Sequence, residues 1–141
     1  MEKLTKNTEA ILLERFGKDC IISLATAVDN IPYVRSVDAF YENGAFYVLT
    51  HGLSGKMKQI ERNPTVAICG EWFTAQGKGV DLGSFVKADN ARIAGKMRDL
   101  FSAWIDNGHI NFEDTNTCIL CIRLSTGVLF SNGMRYEIDF T

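Results

Sequence analysis

Residues 49–64 read LTHGLSGKMKQIERNP and combine the residue types that hold an anion. The spacing predicts a helix over 55–62, opened by Ser54 and stopped by Asn63-Pro64. Its first turn carries Lys56 and Lys58, with no acid before Glu61. Aligned peptide dipoles make a helix N-terminus partly positive, so lysines there are unfavourable unless an anion joins them. Ser54 can cap the helix through its hydroxyl, and Gly52 and Gly55 let backbone come close to a ligand. A phosphate suits free N–H groups flanked by lysine. A surface helix with solvated lysines accounts for the stretch about equally well. It is not a nucleotide P-loop, which needs glycine at position 50 and Ser or Thr at 57. The chain has Thr50 and Met57 there.

A third cation sharpens the reading. In IPYVRSVDAFY, period-two alternation puts Arg35 on one face with Tyr33, Val37 and Ala39. An arginine among apolar neighbours needs an anion: Asp38, Glu42 or a ligand. Asn43-Gly44 is a strong hairpin signal. Carrying the pairing back from that turn sets Arg35 near Thr50, so Arg35, Ser54, Lys56 and Lys58 can converge. Other candidates are weaker. Cys118 and Cys121 form C-x-x-C within an apolar strand, where positions i and i+3 face opposite sides. Buried thiols fit better than a zinc site, so no metal is expected. His51 reads as a loop residue or a ligand contact. His109 reads as a turn residue, with a haem ligand as the minor alternative. Arg135 reads as an exterior ion pair with Glu137 or Asp139. No Ser-His-Asp, paired-carboxylate or nucleophilic-cysteine pattern stands out.

The elements that must position these residues alternate between strands and short turns. A first helix runs from Thr5 or Thr8 to Phe16. Strands at 20–28, 32–41 and 45–50 make an antiparallel meander through Asp29-Asn30 and Asn43-Gly44. After the 55–62 helix comes a strand near Thr65, then one or two strands over 71–86 interrupted by glycines. Asp89 is expected to cap a third helix whose stripe runs from Ile93 to Trp104. Strands at 117–130 and 134–140 close the chain. The fold class is mainly β with flanking helices (α+β), a six- to seven-stranded antiparallel split β-barrel in one domain over 1–141. Closing the sheet removes aggregation-prone edges. The 141 residues are 46% hydrophobic and 23% charged with formal net charge −2, which disfavours a general nucleic-acid surface. No apolar run approaches the ~20 residues that span a bilayer, and the N-terminus lacks a signal peptide's apolar centre. A cytoplasmic protein without a membrane or nucleic-acid partner is expected, its four cysteines reduced and buried.

The ordered set of parts resembles the flavin-binding split-barrel proteins related to pyridoxamine 5′-phosphate oxidase. The resemblance rests on the alternating first strand, R-S-V, F-Y-V-L-T, and S-x-K opening a helix that ends in R-N-P, and is clearest over 18–70. It implies a homodimer with FMN at the interface. It implies that Arg35 and Lys56, assisted by Ser54 and Gly55, hold the FMN phosphate. Ser36, Val37, Leu49 and Thr50 would line the isoalloxazine ring, largely through backbone groups. Trp72 would cover the flavin across the interface; packing within the barrel is its other reading. A deazaflavin presents the same phosphate and tricyclic ring. The last strand runs to the end of the chain and EWFTAQGKGVDLG departs from the oxidase, so the resemblance leads to shorter relatives grouped with stress proteins and nitroimidazole reductases. The expected function is an oxidoreductase passing electrons from a reduced donor to a small-molecule acceptor. The alternative is a non-catalytic flavin or haem store or sensor.

Overall fold

A computed structural model describes residues 1–141. The elements are β1 (Glu2–Lys3), α1 (Lys6–Phe16), β2 (Cys20–Val28), β3 (Ile31–Glu42), β4 (Ala45–His51), α2 (Gly55–Arg62), β5 (Thr65–Gly70), β6 (Phe73–Ser84), α3 (Ala91–Leu100), β7 (Thr117–Ser131) and β8 (Met134–Asp139). The hairpin turns have the chemistry their sequences announce. Asp29-Asn30, Asn43-Gly44 and Asn132-Gly133 all take positive φ at both positions, as the tight primed turns require. Thr5 settles the start of α1, exchanging capping-box hydrogen bonds with Thr8.

Six antiparallel strands close into a barrel in the order β7-β4-β3-β2-β5-β6, with β6 returning to β7. Two further strands extend it: β8 pairs with β7, and β1 lies parallel to β8. The barrel core gathers the inward residues of all six strands with Leu12 and Phe16 of α1 and Met57 and Ile60 of α2. A second apolar cluster lies outside it, where Phe85, Ile93, Met97, Phe101 and Ile105 pack on Phe40 and Ile119. Glu42, buried on β3, fastens α3 there through ion pairs with Arg92 and Lys96. No helix is long and apolar enough to cross a membrane.

The barrel is split where the site residues lie. β3 pairs with β2 from Ile31 to Ala39, but with β4 only at Phe40–Glu42. β4 in turn pairs with β7 along its whole length. Beyond Phe40 and Tyr47 the two strands diverge, leaving 31–39 of β3 and 48–51 of β4 with facing edges that no strand fills. The hairpin register therefore does not carry Arg35 to Thr50, as simple extension of the turn predicts. Arg35 lies opposite Leu24 of β2, and it is α2, entered directly from β4, that approaches it.

Other boundaries also move. Of the two readings of 71–86, one strand or a pair, the structure has the single strand β6, its glycines absorbed by register shifts at Gln76/Gly77 and Asp81/Ser84. Gly77 is required by proximity: a Cβ there would lie 2.2 Å from the Arg123 carbonyl oxygen. Asn90, not Asp89, is the N-cap of α3, and its amide is spent donating to the Leu82 and Ser84 carbonyls. α3 ends at Leu100; tight turns continue its apolar stripe, because three-residue turns also return side chains to one side. Trp104 sits on those turns, half-buried, stacked on Phe101 at 4.9 Å and donating its Nε1–H to Asp19 Oδ2 at 3.0 Å.

The outward face of β2, β5 and β6 is unusual in composition. Ser23 and Ala25 stand beside Cys69 and Ala67, which stand beside Thr74 and Gln76. None of the six is charged. Cys69 is therefore exposed, against the expectation of four buried thiols. Cys118 and Cys121 are buried as expected, Cys118 in the barrel core and raised by burial to about 11. Cys20 is half-buried, donates to the Ala39 carbonyl and is pushed up to about 12, chiefly by burial.

Candidate functional site

The site is built where α2 meets the split edge. Ser54 occupies the N-cap of α2 with extended backbone, yet its hydroxyl makes no capping bond. Instead Ser54 Oγ is buried without any partner, which is costly unless a ligand supplies one. The capping role expected of that hydroxyl is thus not what the structure shows. The first N–H groups of the helix have no intrahelical acceptors either.

Two cations face this helix end. Lys56 donates to Thr50 Oγ1 at 2.7 Å. The Arg35 guanidinium donates to the Leu24 carbonyl at 3.2 Å, Thr26 Oγ1 at 2.9 Å and Gln59 Oε1 at 2.5 Å. Thr26 also donates to Gln59 Oε1, so one amide oxygen holds the cluster together. Every acceptor is neutral. Neither Arg35 nor Lys56 belongs to any ion pair of the molecule, and the bland partners Asp38 and Glu42 are not used. Burial lowers the pKa of both, and the Arg35 charge lowers Lys56 further. Two half-buried cations that repel each other, beside an orphaned hydroxyl and a helix N-terminus, are an arrangement that an anion would complete.

Around it, the sequence-predicted residues fall into two groups. Ser36 and Val37 lie on the unfilled edge of β3, Leu49 and Thr50 on that of β4. Gly55 opens α2 between Ser54 and Lys56. These stand with Arg35 and Lys56. Lys58 does not: it is exposed and makes no side-chain bond to the cluster. Trp72 does not join them within one chain. It lies in the β5–β6 turn, toward the Cys20 end of β2, whereas Arg35 reaches toward Thr26 and α2. Nor does Trp72 pack in the barrel, being 70% exposed with φ +52° and set edge-on to Phe130. Phe73 beside it is the core residue. Arg135 pairs with Glu137 at 3.0 Å on the surface, as its alternation implied.

Gln59 and Thr26 were not singled out from sequence. Gln59 carried a signal, since it stands three residues after Lys56 on the same helix face. Thr26 carried none before the register was known. His51 is fastened at both ring nitrogens: the Leu53 N–H donates to Nδ1 at 3.2 Å, so Nε2 carries the proton and donates to Asp114 Oδ2 at 2.8 Å. The Asn116 N–H and His51 hold the Asp114 carboxyl below its usual range. His109 is an exposed loop residue whose N–H donates to Asn107 Oδ1, as a turn requires.

No protein-family model matches the chain, and no curated protein matches it in sequence. Its fold has close counterparts among solved structures. A NimC/NimA family protein from Clostridium acetobutylicum superposes with TM-score 0.68 at 18% identity, covering 92% of each chain. A pyridoxamine 5′-phosphate oxidase-related, FMN-binding protein from Nostoc punctiforme gives 0.60 at 18% identity, covering 94% of this chain and 87% of its own. A haem-binding protein from Mycobacterium smegmatis gives 0.67 at 13% identity over 97% of this chain, which spans 60% of that one. The chain has the split-barrel fold of the pyridoxamine 5′-phosphate oxidase-like proteins.

Proposed function

We propose that this protein binds FMN in the β3–β4 split and passes electrons from a reduced donor to a small-molecule acceptor. The observation that carries the reading is the pair Arg35–Lys56, unneutralised beside the partnerless Ser54 hydroxyl. A phosphate would satisfy all three at once. Arg35, Lys56, Ser54 and Gly55 would hold it. The unfilled edges at Ser36–Val37 and Leu49–Thr50 offer backbone donors and acceptors to a flat heterocycle, while Val37 and Leu49 keep water from its face. The bound flavin would supply the reversible electron transfer; the chain supplies orientation and charge.

The same reading includes a homodimer. The uncharged outward face through Ser23, Ala25, Ala67, Cys69, Thr74 and Gln76 suits burial against a second copy, since depletion of charge marks interface centres. Its edge is β3, so a partner there would wall the split. The exposed Trp72 then has a role across the interface, toward the partner's flavin. A haem site is the weaker reading: His109, the residue that could ligate haem, stands exposed on a loop, and His51 has both ring nitrogens engaged.

Arg35→Ala with Lys56→Ala tests the phosphate site. Each charge-assisted bond is worth about 1.5–3 kcal/mol, so the double variant should bind FMN at least about a hundredfold more weakly. Titration calorimetry that showed unchanged affinity would sink the proposal. Absence of any turnover of the loaded protein with small acceptors would convert the same site to a flavin store or sensor.

A further inference from the structure

Two acids where β2 and β3 pair are left unused by the proposed function. We propose that Asp19 and Asp38 share one proton, and that this proton fastens the turns after α3 to the barrel through Trp104. The pair is a pH-sensitive latch, closed while the proton is held and released when it is lost. It stands independently of any flavin.

Four observations carry this. The first is proximity. Ile21 pairs with Asp38 in the β2–β3 ladder. Asp19 stands two residues before Ile21, so alternation, carried one residue past the strand, sets both carboxyls on the outward face as diagonal neighbours. The second is a missing donor. Asp19 Oδ2 accepts the Trp104 Nε1–H at 3.0 Å, but Asp19 Oδ1 is buried with no partner. A buried acceptor without a donor is costly, and a proton on Asp38 supplies one. The third is charge. Neither acid belongs to any ion pair of the molecule. Two adjacent carboxylates without a cation resist ionising together, so one proton stays. Burial raises Asp38 above its ordinary 3.8, and the hydrogen bond and charge of Asp19 raise it further. The surroundings do not compensate. On β2, burial and the two acids keep the Cys20 thiol neutral up to about 12. Lys18 is exposed and pairs with neither acid. On α3, Arg92 and Lys96 are held by Glu42 and Arg98 by Asp106, while Asp99 is exposed. On α1, Glu9 accepts the Tyr41 hydroxyl, Arg15 donates to the Glu71 and Phe130 carbonyls, and Glu14 is exposed. The fourth is unequal freedom. Asp38 lies within β3, whereas Asp19 precedes β2 in the connection from α1. When the proton leaves for solvent, Asp19 is the residue free to turn from the Asp38 charge, and turning breaks its bond to Trp104. Trp104 lies in the middle of successive turns, its N–H bonded to the Phe101 carbonyl and its carbonyl to the Asn107 N–H, so the release acts on both. Between 3.8 and the raised value the folded state binds more protons than the unfolded one, so stability falls as pH rises through that window.

The test follows the aspartate carboxyl carbons and the indole N–H resonances of the isotope-labelled full chain by NMR, from about pH 3 to about pH 8. Asp38 should titrate above 3.8, and the Trp104 Nε1–H should shift with the same midpoint. Hydrogen exchange at that N–H, relative to an unprotected indole at the same pH, should quicken at least about tenfold across the midpoint. Asp38→Asn offers Asp19 Oδ1 an amide N–H and carries no titrating group. It should hold the Trp104 resonance at its acid position throughout, with protection unchanged. An Asp38 carboxyl that titrates at 3.8 or below, a Trp104 resonance that does not move with it, or the same Trp104 transition in Asp38→Asn would overturn the proposal. The first two readings use the wild-type chain, so the proposal is tested even where the variant fails to fold.

Discussion

At the scale of single residues, Arg35 and Lys56 carry a burial cost that a bound anion would offset. Both are half-buried, both lean on neutral acceptors, and each raises the energy of the other. Lys56→Met keeps the stem and removes the charge. It should raise the thermal midpoint of the flavin-free protein by a few degrees while abolishing the gain that FMN confers, the trade expected of functional charge. The pH dependence has a definite sign. Unfolded Lys56 holds its proton up to the ordinary 10.5, and the folded residue releases it lower. The unfolded state then binds more protons in the window below 10.5, so wild-type stability rises with pH there. The advantage of Lys56→Met should be largest near neutral pH and shrink as pH approaches that value, as urea melts at several pH values would show. A variant less stable than wild type at neutral pH would mean that Lys56 is structural. Arg35 and Lys56 could be suspected from residue type and neighbours; the lone Ser54 hydroxyl could not, because a serine before a helix ordinarily caps it.

At the scale of elements, the split between β3 and β4 is the feature that matters, and β6 shows how such departures are maintained. β6 must bend to close on β7, and it does so at the Gln76/Gly77 register shift, where the Arg123 backbone presses on Gly77. Gly77→Ala places a Cβ against a carbonyl oxygen that cannot rotate away. It should cost about 3 kcal/mol or more, read from denaturant unfolding, well above a helix-surface glycine change such as Gly95→Ala, where nothing lies within 4 Å. Equal effects at the two glycines would show that β6 is free to shift. Strands, hairpin turns and the two N-terminal helices were legible because turn residues and alternation are local. The end of α3 was not, because apolar spacing is served equally by a helix and by successive turns.

At the scale of the whole molecule, the proposed homodimer turns on the uncharged outer face. Ala67 stands at its centre, between Ala25 and Gln76. Ala67→Glu puts a charge where a second copy would pack, without touching the barrel core. Sedimentation should find a dimer in the wild type and a monomer in the variant, and FMN should bind at least about tenfold more weakly although Arg35 and Lys56 are intact. A wild-type monomer that binds FMN tightly would remove the interface from the proposal.

Sequence alone determined the local part of this protein: where most of the strands lie, where the chain reverses, and that Lys56 and Ser54 open a helix poorly suited to cations. These depend on neighbours a few residues away, and the relevant chemistry is steric and nearly context-free. Tertiary structure decided the rest. That Arg35 meets α2 through Gln59 rather than Thr50 across a hairpin follows from the divergence of β3 from β4, which depends on how the whole barrel closes. That Trp72 is exposed far from Arg35, and that Trp104 reaches Asp19, follow from contacts between residues distant in the chain. Such contacts are chosen by the packing of all six closed strands together, and no window of sequence holds that information.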